Sequence, residues 1–458
     1  YKQPLANYID SLVSLGGAYW DDMKSSTSFV GVGIQGVTVP LRDGMTVPTQ
    51  NNFVAGDLDQ LTGLKGNGST KAIATGITTD DAGTINDVSI SAYLTEQSAT
   101  PSNRSFIGAQ GLVIRETSNT NEVNTKSRNY GSQTTAATLI TGFIGHSRSA
   151  SASYTLRLDG SSTALSQAAT VVPPTEIGVF RDSTAGIRTD ARLATYHAGP
   201  ALDLATLEGL QATLLSEIRT AHTFVAVASY FSRLVAAGDT THVAYKQPLT
   251  NYITSLVGLG GAYWDTMLSA TSFVGVGIQG ITVPLRDGMT VATNNNFVAG
   301  DLNQLTGLKG DASTKYLGMN ILASALSQND ASISVYITEA DGAFGFHMGN
   351  QGNTAVLRNN PRVQLNGPAT DPTNGFPTSK VFGGSRTTST DVDVRNNQVT
   401  STISSTSSAP SADTVYLYSQ NGVGSSKARF ATYHFGPALD LATLEGLQDT
   451  LITEIAAI

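Results

Sequence analysis

Residues 88–94 read Val-Ser-Ile-Ser-Ala-Tyr-Leu, an alternation in which every second residue is apolar. Successive side chains of a strand point to opposite sides, so this period of two is typical of a β-strand with one buried face. The same alternation returns at residues 333–337. The pairs Asp159-Gly160 and Asn396-Asn397 predict two-residue hairpin turns. The pattern indicates a fold built mainly from strands.

The chain is a tandem duplication. Residues 1–71 return at 245–315 with a constant offset of 244, and 59 of these 71 positions are identical. Residues 196–218 return at 433–455, where 19 of 23 positions match. A period of about 240 residues is the size of a complete domain and far exceeds the roughly 20–50 residues of a solenoid repeat. We therefore expect two self-sufficient globular modules.

Composition favours an all-β, turn-rich protein and excludes several classes of function. Only 14% of residues are charged, and 46 of 458 are glycine. A net charge of −8 without a Lys/Arg cluster argues against nucleic acid as a partner. The absence of cysteine excludes disulfides and thiolate metal sites. No apolar run reaches about 18 residues, so we expect no membrane insertion.

Helices are predicted at both ends of each unit. Apolar residues at helical spacing run up to Gly16-Gly17, and Asp203 is placed to cap a second amphipathic stretch. We expect a first module at 1–222, a helical connector at 223–244 and a second module at 245–458. The chain opens inside a helical pattern with no initiator Met, so we expect it to be part of a longer or processed product.

Four motifs carry a family resemblance. In the first unit they are Asn51-Asn-Phe-Val-Ala-Gly-Asp57, Gly63-Leu-Lys-Gly-Asn-Gly-Ser-Thr-Lys71, Gly145-His-Ser-Arg148 and Ala194-Thr-Tyr-His-Ala-Gly-Pro-Ala-Leu-Asp-Leu204. The set resembles the laminin-G-like, concanavalin-like jelly-roll domains of bacteriophage and prophage virion proteins. The resemblance implies a mainly β chain of two tandem jelly-roll β-sandwiches, each with a short N-terminal helix and a C-terminal helix.

The same resemblance implies a non-enzymatic structural or adhesive role on a virion. Such domains decorate capsids or build head fibres and tail fibres. The expected partners are other virion proteins, further copies of the chain in a homo-oligomer, and host-surface glycans; the expected location is the particle surface. Two other function classes stay open: a carbohydrate-binding adhesin module of a cell-surface or secreted protein, and a glycan hydrolase.

The acid pattern of a glycosidase is incomplete. Concanavalin-like glycosidases place three acids on one strand, so that nucleophile and general acid face the sugar together. Glu339-Ala340-Asp341 lacks the third acid, and its counterpart Glu96-Gln97-Ser98 also lacks the Asp. His197 and His434 occupy equivalent places, three residues before a proline, and are expected to be packed, hydrogen-bonded side chains. We therefore expect no catalytic residues.

Two arginines are candidate ligand contacts. Arg148 and Arg386 each end a glycine-containing motif with Ser-Arg. A guanidinium can bind a carboxylate or a glycan through paired N–H groups. The alternative, which we favour, is an ion pair that braces the loop at Asp43 or Asp287.

The second unit alone contains Phe344, Phe346 and His347 among glycines. They lie in the middle of the unit, where residues 316–427 have diverged from residues 72–190 while both ends were kept. In a sandwich this part supplies the outer loops, which are the usual place for binding residues. The three residues are therefore candidates for contact with a partner.

Four aspartates are candidate calcium ligands, because carboxylate oxygens are the hard donors that this ion takes. They are Asp57, Asp59, Asp301 and Asp311. Calcium is the one metal for which the sequence offers ligands, and we expect no other cofactor.

Overall fold

The computed structural model describes residues 1–99, 103–117, 122–135, 141–182, 187–340, 345–359, 362–371, 375 and 377–458. The chain divides into two compact units, Tyr1–His222 (unit 1) and Thr223–Ile458 (unit 2). The helices are α1 (Lys2–Leu15), α2 (Thr79–Ala82), α3 (Leu204–Ala236), α4 (Lys246–Gly258), α5 (Gly261–Trp264) and α6 (Leu441–Ala456). Among the described helices, none combines the length and apolarity needed to cross a bilayer.

Unit 1 contains two antiparallel sheets. Its strands are β1 (Ser25–Ser28), β2 (Thr49–Asn51), β3 (Leu58–Asp59), β4 (Gly63–Lys65), β5 (Ala72–Thr78), β6 (Val88–Glu96), β7 (Ser105–Ala109), β8 (Leu112–Glu116), β9 (Val123–Ser127), β10 (Gln133–Thr135), β11 (Gly142–Arg148), β12 (Ser153–Leu158), β13 (Ser161–Ser166), β14 (Glu176–Val179) and β15 (Arg192–Gly199). The first sheet has the order β13-β12-β11-β6-β15-β4-β3, with β1 also paired with β15. The second has the order β10-β9-β8-β7-β14-β5-β2.

Unit 2 repeats this arrangement. Its strands are β16 (Ser269–Ser272), β17 (Thr293–Asn295), β18 (Leu302–Asn303), β19 (Gly307–Lys309), β20 (Tyr316–Leu322), β21 (Ala331–Glu339), β22 (Phe346–Gly349), β23 (Ala355–Arg358), β24 (Arg362–Leu365), β25 (Lys380–Arg386), β26 (Asp391–Asn396), β27 (Val399–Ser404), β28 (Thr414–Leu417) and β29 (Arg429–Gly436). One sheet has the order β18-β19-β29-β21-β25-β26-β27, with β16 on β29, and the other β17-β20-β28-β22-β23-β24. The predicted fold class is confirmed: the chain is mainly β, and its four sheets form two sandwich-like domains.

The strand predicted at 88–94 is confirmed as β6, and its apolar face enters the core between the sheets. Ile90 packs in one buried cluster with Ile107 of β7 and Val179 of β14. The opposite face is buried as well, since Ser89 and Ser91 have no exposed surface. This face of the first sheet is covered by a second apolar cluster that includes residues of α1 and of α3.

The helix ends and one of the two predicted turns are confirmed. α1 stops at Gly16, where φ is +56° and the N–H donates to Val13 O at 3.0 Å. Asp203 caps α3, with Oδ1 accepting from the Ala205 N–H at 3.0 Å. Asp159-Gly160 joins β12 to β13. The turn predicted at Asn396-Asn397 lies one residue later, because Asn396 ends β26 and the two following residues take left-handed φ angles.

Candidate functional site

Unit 1 contains a cleft of about 610 Å³ where five separate segments meet. Lys24 precedes β1, the β5–β6 loop forms one side, and Arg128 follows β9. The segment before β14 and the residue after β15 complete the wall. We call this the first cleft and define it by the residues that face it with charge or apolar surface: Lys24, Asp80, Asp81, Asp87, Arg128 and Val171.

Arg128 holds the β5–β6 loop in place. Its side chain is 3% exposed. Nη1 donates to Asp80 Oδ1 at 2.9 Å, and Nη2 donates to the carbonyls of Thr79 and Gly83. Nε has no hydrogen-bond partner among the described residues. Because the guanidinium is fixed from several sides, Asp80 is positioned although 60% of its side chain is exposed.

Two further carboxylates are oriented by local hydrogen bonds. Asp81 Oδ2 accepts from the Thr78 N–H at 2.8 Å and from the Thr78 hydroxyl at 2.7 Å. These bonds, the backbone one most, lower the pKa of Asp81 against the opposing effect of partial burial, and the charge of Lys24 adds to the lowering. Asp87 Oδ1 accepts from the Ala201 N–H at 2.7 Å. Both aspartates are exposed, so each presents an oxygen to a ligand.

Lys24 separates the first cleft from a neighbouring one. This second cleft, of about 380 Å³, is lined by Lys24, Arg42, Gly76 and Asp81, among others. Within the described residues, Nζ of Lys24 makes no hydrogen bond or ion pair. Arg42, in contrast, donates from Nη2 to Met23 O at 2.8 Å. A half-buried ammonium without a protein partner is free to bind a ligand oxygen.

An exposed apolar side chain borders the first cleft. Val171 is 85% exposed, whereas its neighbour Val172 is buried. The Thr170 N–H donates to Arg128 O at 2.7 Å, which holds this segment beside the charged floor. The cleft therefore combines fixed charges with an apolar border, a combination that binds polar ligands with apolar faces.

Unit 2 repeats the backbone of the cleft without four of its charges, those of Lys24, Asp80, Asp81 and Arg128. Leu268 stands where unit 1 has Lys24, and Ala325 stands where it has Asp81. Both pairs follow the offset of 244 that relates β1 to β16 and β5 to β20. The free ammonium and its neighbouring carboxylate are therefore features of unit 1.

Asn366 replaces Arg128 in unit 2. Each residue follows the equivalent strand with a left-handed φ, +52° at Arg128 and +48° at Asn366. Asn366 Nδ2 donates to Ser327 O at 2.9 Å, in place of the bond from Arg128 to Gly83. The scaffold contact is kept and the positive charge is lost.

Arg148 lies in the interior, which corrects its predicted contacts. Its side chain has no exposed surface. Nη1 donates to the carbonyls of Ala150 and Ser153 at 3.0 and 3.2 Å, and Nη2 donates to Gln167 O at 3.0 Å. Burial lowers the pKa of this guanidinium, and Tyr154 opposes the shift. Arg148 therefore braces the chain between β11 and β12 through carbonyls, and not the Asp43 loop through an ion pair.

Arg386 of unit 2 is also an interior residue, so its predicted contacts are corrected in the same way. It is fully buried, with Nε donating to Leu365 O at 3.0 Å and Nη1 to Ser405 O at 2.7 Å. Asp287, its predicted partner, lies instead beside Arg233, with 4.0 Å between Oδ1 and Nη1. Both arginines are structural because a turn with several inward-facing carbonyls needs a donor with several N–H groups.

The apolar cluster of unit 2 is a core feature where it is described. Phe346 is buried, with the Arg358 guanidinium 4.4 Å from its ring centroid. His347 has no exposed surface, its Nδ1 lies 3.0 Å from Ser426 Oγ, and burial lowers its pKa to about 3. Phe344 lies outside the described residues. The sequence placed Phe346 and His347 among the outer loops, whereas both side chains lie in the core.

Three of the four candidate calcium ligands are occupied by local contacts. Asp57 Oδ2 accepts from the Val54 N–H at 2.8 Å, and its other oxygen pairs with Lys71. Asp301 makes the same two kinds of contact in unit 2. Asp59 Oδ1 accepts from the N–H two residues later at 2.7 Å. These oxygens support turns, as side-chain caps do.

Asp311 acts as a cap as well. Its Oδ1 accepts from the N–H groups of Ser313 and Thr314 at 2.8 Å and of Lys315 at 3.0 Å. Burial opposes ionisation, but the bonds from the Thr314 hydroxyl and these N–H groups outweigh it and lower the pKa of Asp311. Within the described part of the chain, no group of three or more His, Cys, Asp or Glu side chains is placed to hold a metal ion.

The residues considered for hydrolysis are engaged in ion pairs. Glu339 binds Lys309 and lies 3.4 Å from Nε of Arg429. The bond from Lys309 contributes most to lowering the pKa of Glu339, with Arg429 adding to it and burial opposing it. Glu96 forms the equivalent pairs in unit 1. Asp341 lies outside the described residues.

Neither a protein-family model nor a curated protein sequence matches the chain. Similar solved structures include domain 4 of the arabinanase AbnA from Geobacillus stearothermophilus, with 12% identity, 40% of this chain and 98% of that chain covered, and a TM-score of 0.25. Mouse laminin alpha1 domains LG4-5 are 9% identical, with 78% of this chain and 84% of that chain covered and a TM-score of 0.22. The binding domain of botulinum neurotoxin DC is 10% identical, with 81% of this chain and 88% of that chain covered and a TM-score of 0.25.

Sequence reasoning missed Lys24, Asp81 and Arg128. Their segments are far apart in the chain, so no spacing marks them as one site. A signal existed for Lys24, because it is one of only 12 positions that differ between residues 1–71 and 245–315. A change from lysine to leucine in so similar a segment marks a position where the two units differ in chemistry.

Proposed function

We propose that the protein is a non-enzymatic, glycan-binding adhesive protein whose first unit carries the binding cleft. The observation that carries this proposal is the difference between two copies of one backbone. Unit 1 presents Lys24 and Asp81 in a cleft, and unit 2 has Leu268 and Ala325 at the same positions. A structural role shared by both units does not explain charges kept in one copy only.

The chemistry of the first cleft suits a sugar. Hydroxyl groups donate to carboxylates such as Asp81 and Asp87 and accept from the ammonium of Lys24. The C–H face of a sugar ring can pack on Val171, which is 85% exposed. A protein of net charge −8 with these groups is better suited to a hydroxyl-rich ligand than to a polyanion such as nucleic acid.

The carboxylates of the cleft are poorly suited to hydrolysis. A general acid needs a raised pKa, so that it holds a proton at neutral pH. The pKa of Asp81 is lowered by its bonds to Thr78, and Asp80 is paired with Arg128. Asp81 can therefore bind a sugar and is not held in the protonated state that a general acid requires.

The virion setting is part of the proposal and is supported by the motif resemblance alone. The protein would act on the outside of a phage particle, as a capsid decoration, a head fibre or a tail fibre, in contact with other virion proteins and further copies of itself. Mass spectrometry and immunogold labelling of purified particles test this setting. Recovery of the chain only from cell surfaces or culture medium would favour a cellular adhesin.

A glycan array probed with the full chain tests the binding function. We expect wild type to bind, and the variant Lys24→Leu/Asp81→Ala to bind at least about tenfold more weakly, since a charge-assisted hydrogen bond contributes about 1.5–3 kcal/mol. Both substitutions are the residues of unit 2, so they fit the backbone. Leu268→Ala is the matched control in unit 2. The proposal fails if no glycan binds, or if the double variant binds as wild type does.

A further inference from the structure

The two clefts of unit 1 adjoin, because Lys24 and Asp81 line both of them. We propose that together they form one groove for an acidic oligosaccharide. A neutral sugar occupies the first cleft, and a carboxylate-bearing sugar occupies the second, between Lys24 and Arg42. This inference rests on the proposed function and adds the chemical class of the glycan and its direction along the groove.

The charges of the two clefts differ in sign. Three carboxylates and two cations line the first cleft, and one of these cations, Arg128, is already paired with Asp80. Two cations, Lys24 and Arg42, and one carboxylate, Asp81, line the second cleft. A carboxylate is therefore favoured in the second cleft, while hydroxyl donors are favoured beside the acids of the first.

The cations of the second cleft have donors available. Nζ of Lys24 carries three donors and is bonded to none of the described residues. The bond from Arg42 Nη2 to Met23 O anchors that guanidinium, and Nη1 makes no hydrogen bond within the described chain. A carboxylate that accepts from the half-buried ammonium and the anchored guanidinium forms charge-assisted bonds, which are stronger than neutral ones.

The second cleft is lined by a glycine in unit 1 where unit 2 has an asparagine. Gly76 lines the cleft with a φ of +73°. Asn320 takes its place in unit 2 with a φ of +53°, and its Nδ2 donates to Val291 O at 2.9 Å and to Thr293 Oγ1 at 2.8 Å. A Cβ added at Gly76 would lie 2.4 Å from Cγ2 of Thr46, which also lines the cleft. A side chain at this position therefore crowds the second cleft, and the glycine that avoids this is a feature of unit 1.

The experiment compares acidic oligosaccharides with their carboxyl-reduced forms. An array carries sialylated and uronate-containing disaccharides and tetrasaccharides, each printed beside its carboxyl-reduced counterpart. At low salt we expect the full chain to bind the best acidic tetrasaccharide about tenfold more tightly than its reduced form. Lys24→Leu abolishes that difference. Gly76→Asn removes the advantage of the tetrasaccharide over the disaccharide, because its side chain displaces Thr46 within the second cleft without changing charge.

The binding results distinguish failure of the carboxylate assignment, of the two-cleft groove and of the proposed function. If wild type binds the reduced and acidic tetrasaccharides equally, the carboxylate assignment is wrong and the proposed glycan-binding function stands. If Gly76→Asn retains full preference for the tetrasaccharide, the two-cleft groove is wrong. If no oligosaccharide binds, the proposed function itself fails. Leu268→Ala serves as the control, and thermal unfolding of each variant separates lost binding from lost folding.

Discussion

The Tyr252 hydroxyl lies 2.7 Å from Nε2 of His434, and both side chains are buried. The Tyr263 hydroxyl lies 3.0 Å from Nδ1 of the same ring. A neutral imidazole has one donor and one acceptor nitrogen, so one tyrosine accepts from the ring and the other donates to it. Burial lowers the pKa of His434 to about 3, which keeps the ring neutral. The expectation of a packed, hydrogen-bonded histidine is confirmed here.

Unit 1 leaves the equivalent network open. His197 is fully buried, and within the described residues neither of its ring nitrogens has a hydrogen-bond partner. Tyr19, the counterpart of Tyr263, donates instead to Asp203 O at 2.8 Å. Unsatisfied buried groups cost about 1–3 kcal/mol each, so this network should stabilise unit 2 more than its counterpart stabilises unit 1.

Tyr263→Phe should lower the free energy of unfolding of unit 2 by about 1–2 kcal/mol, because Nδ1 of His434 loses its partner in a buried site. Tyr19→Phe is the matched change in unit 1 and should cost less than about 0.5 kcal/mol, since its bond to Asp203 is exposed. Native-state hydrogen exchange reports the two units separately. Equal losses in both variants would contradict the difference between the networks.

Stability should fall as the pH drops below 6.5. Burial is the main cause that lowers the pKa of His146, His347 and His434 to about 3 and of His197 to about 4. In the unfolded chain these groups take up protons near their ordinary pKa of 6.5, whereas the folded chain does not. The stabilisation is complete above pH 6.5 and is lost as the pH falls from there towards the folded pKa values.

Each such histidine contributes a slope of about 1.4 kcal/mol per pH unit within this window. Hydrogen exchange or urea unfolding at pH 7 and pH 5 measures the total. His347→Gln should reduce the pH slope of the free energy of unfolding of unit 2 by the contribution of one histidine. The slope of unit 1 should be unchanged. A free energy of unfolding that is constant between these pH values would show that the imidazoles are not held neutral.

Arg148→Lys should destabilise unit 1 by about 3 kcal/mol or more, although it conserves the charge. An ammonium lacks the planar arrangement of five N–H groups that reaches the carbonyls of Ala150, Ser153 and Gln167 together. Each carbonyl left unpaired costs about 1–3 kcal/mol. Thermal unfolding compares this variant with Arg115→Lys, a less buried arginine of the same unit. A loss no larger than that of the control would restore a surface role for Arg148.

Calcium should not raise the unfolding midpoint of either unit, because the oxygens of Asp311 already accept backbone N–H groups. Asp311→Asn should lower the free energy of unfolding of unit 2 by about 1 kcal/mol or less, because an amide oxygen accepts the same N–H groups without the charge. Asn67 makes the same bonds at this position in unit 1, including one to the Thr70 N–H at 2.9 Å. Calorimetric titration with calcium chloride tests the point. A midpoint that rises with calcium in wild type alone would place a metal ion at Asp311.

The periodic helices and strands were predictable from sequence. The packing of helices on the outer face of the first sheet was not. The alternation at 88–94 identifies β6, and the spacing of apolar residues identifies α1. The burial of Ser89 and Ser91 was hidden, since serines on the second face of a strand normally indicate solvent. Only the packing of helices on that face reverses the expectation.

The site was less predictable than the fold. Arg148 and Lys24 are both single cations near strand ends, and residue type does not distinguish a guanidinium enclosed by carbonyls from an ammonium left free in a cleft. That distinction depends on where distant segments meet. The internal duplication supplies part of this information. A charged residue that one copy has and the other replaces by leucine is not needed for the scaffold that both copies share.

The groove should be transferable to unit 2, because the two units share a backbone. The combined variant Leu268→Lys/Asn320→Gly/Ala325→Asp restores the ammonium, the glycine and the carboxylate of unit 1. We combine this variant with Lys24→Leu, which removes binding by unit 1. The resulting chain should bind the acidic tetrasaccharide selected on the array within about tenfold of wild-type affinity. Isothermal titration of the full chain measures the stoichiometry. The combined variant with Lys24 retained should bind two tetrasaccharides, and a value of one would mean that residues outside these three positions decide recognition.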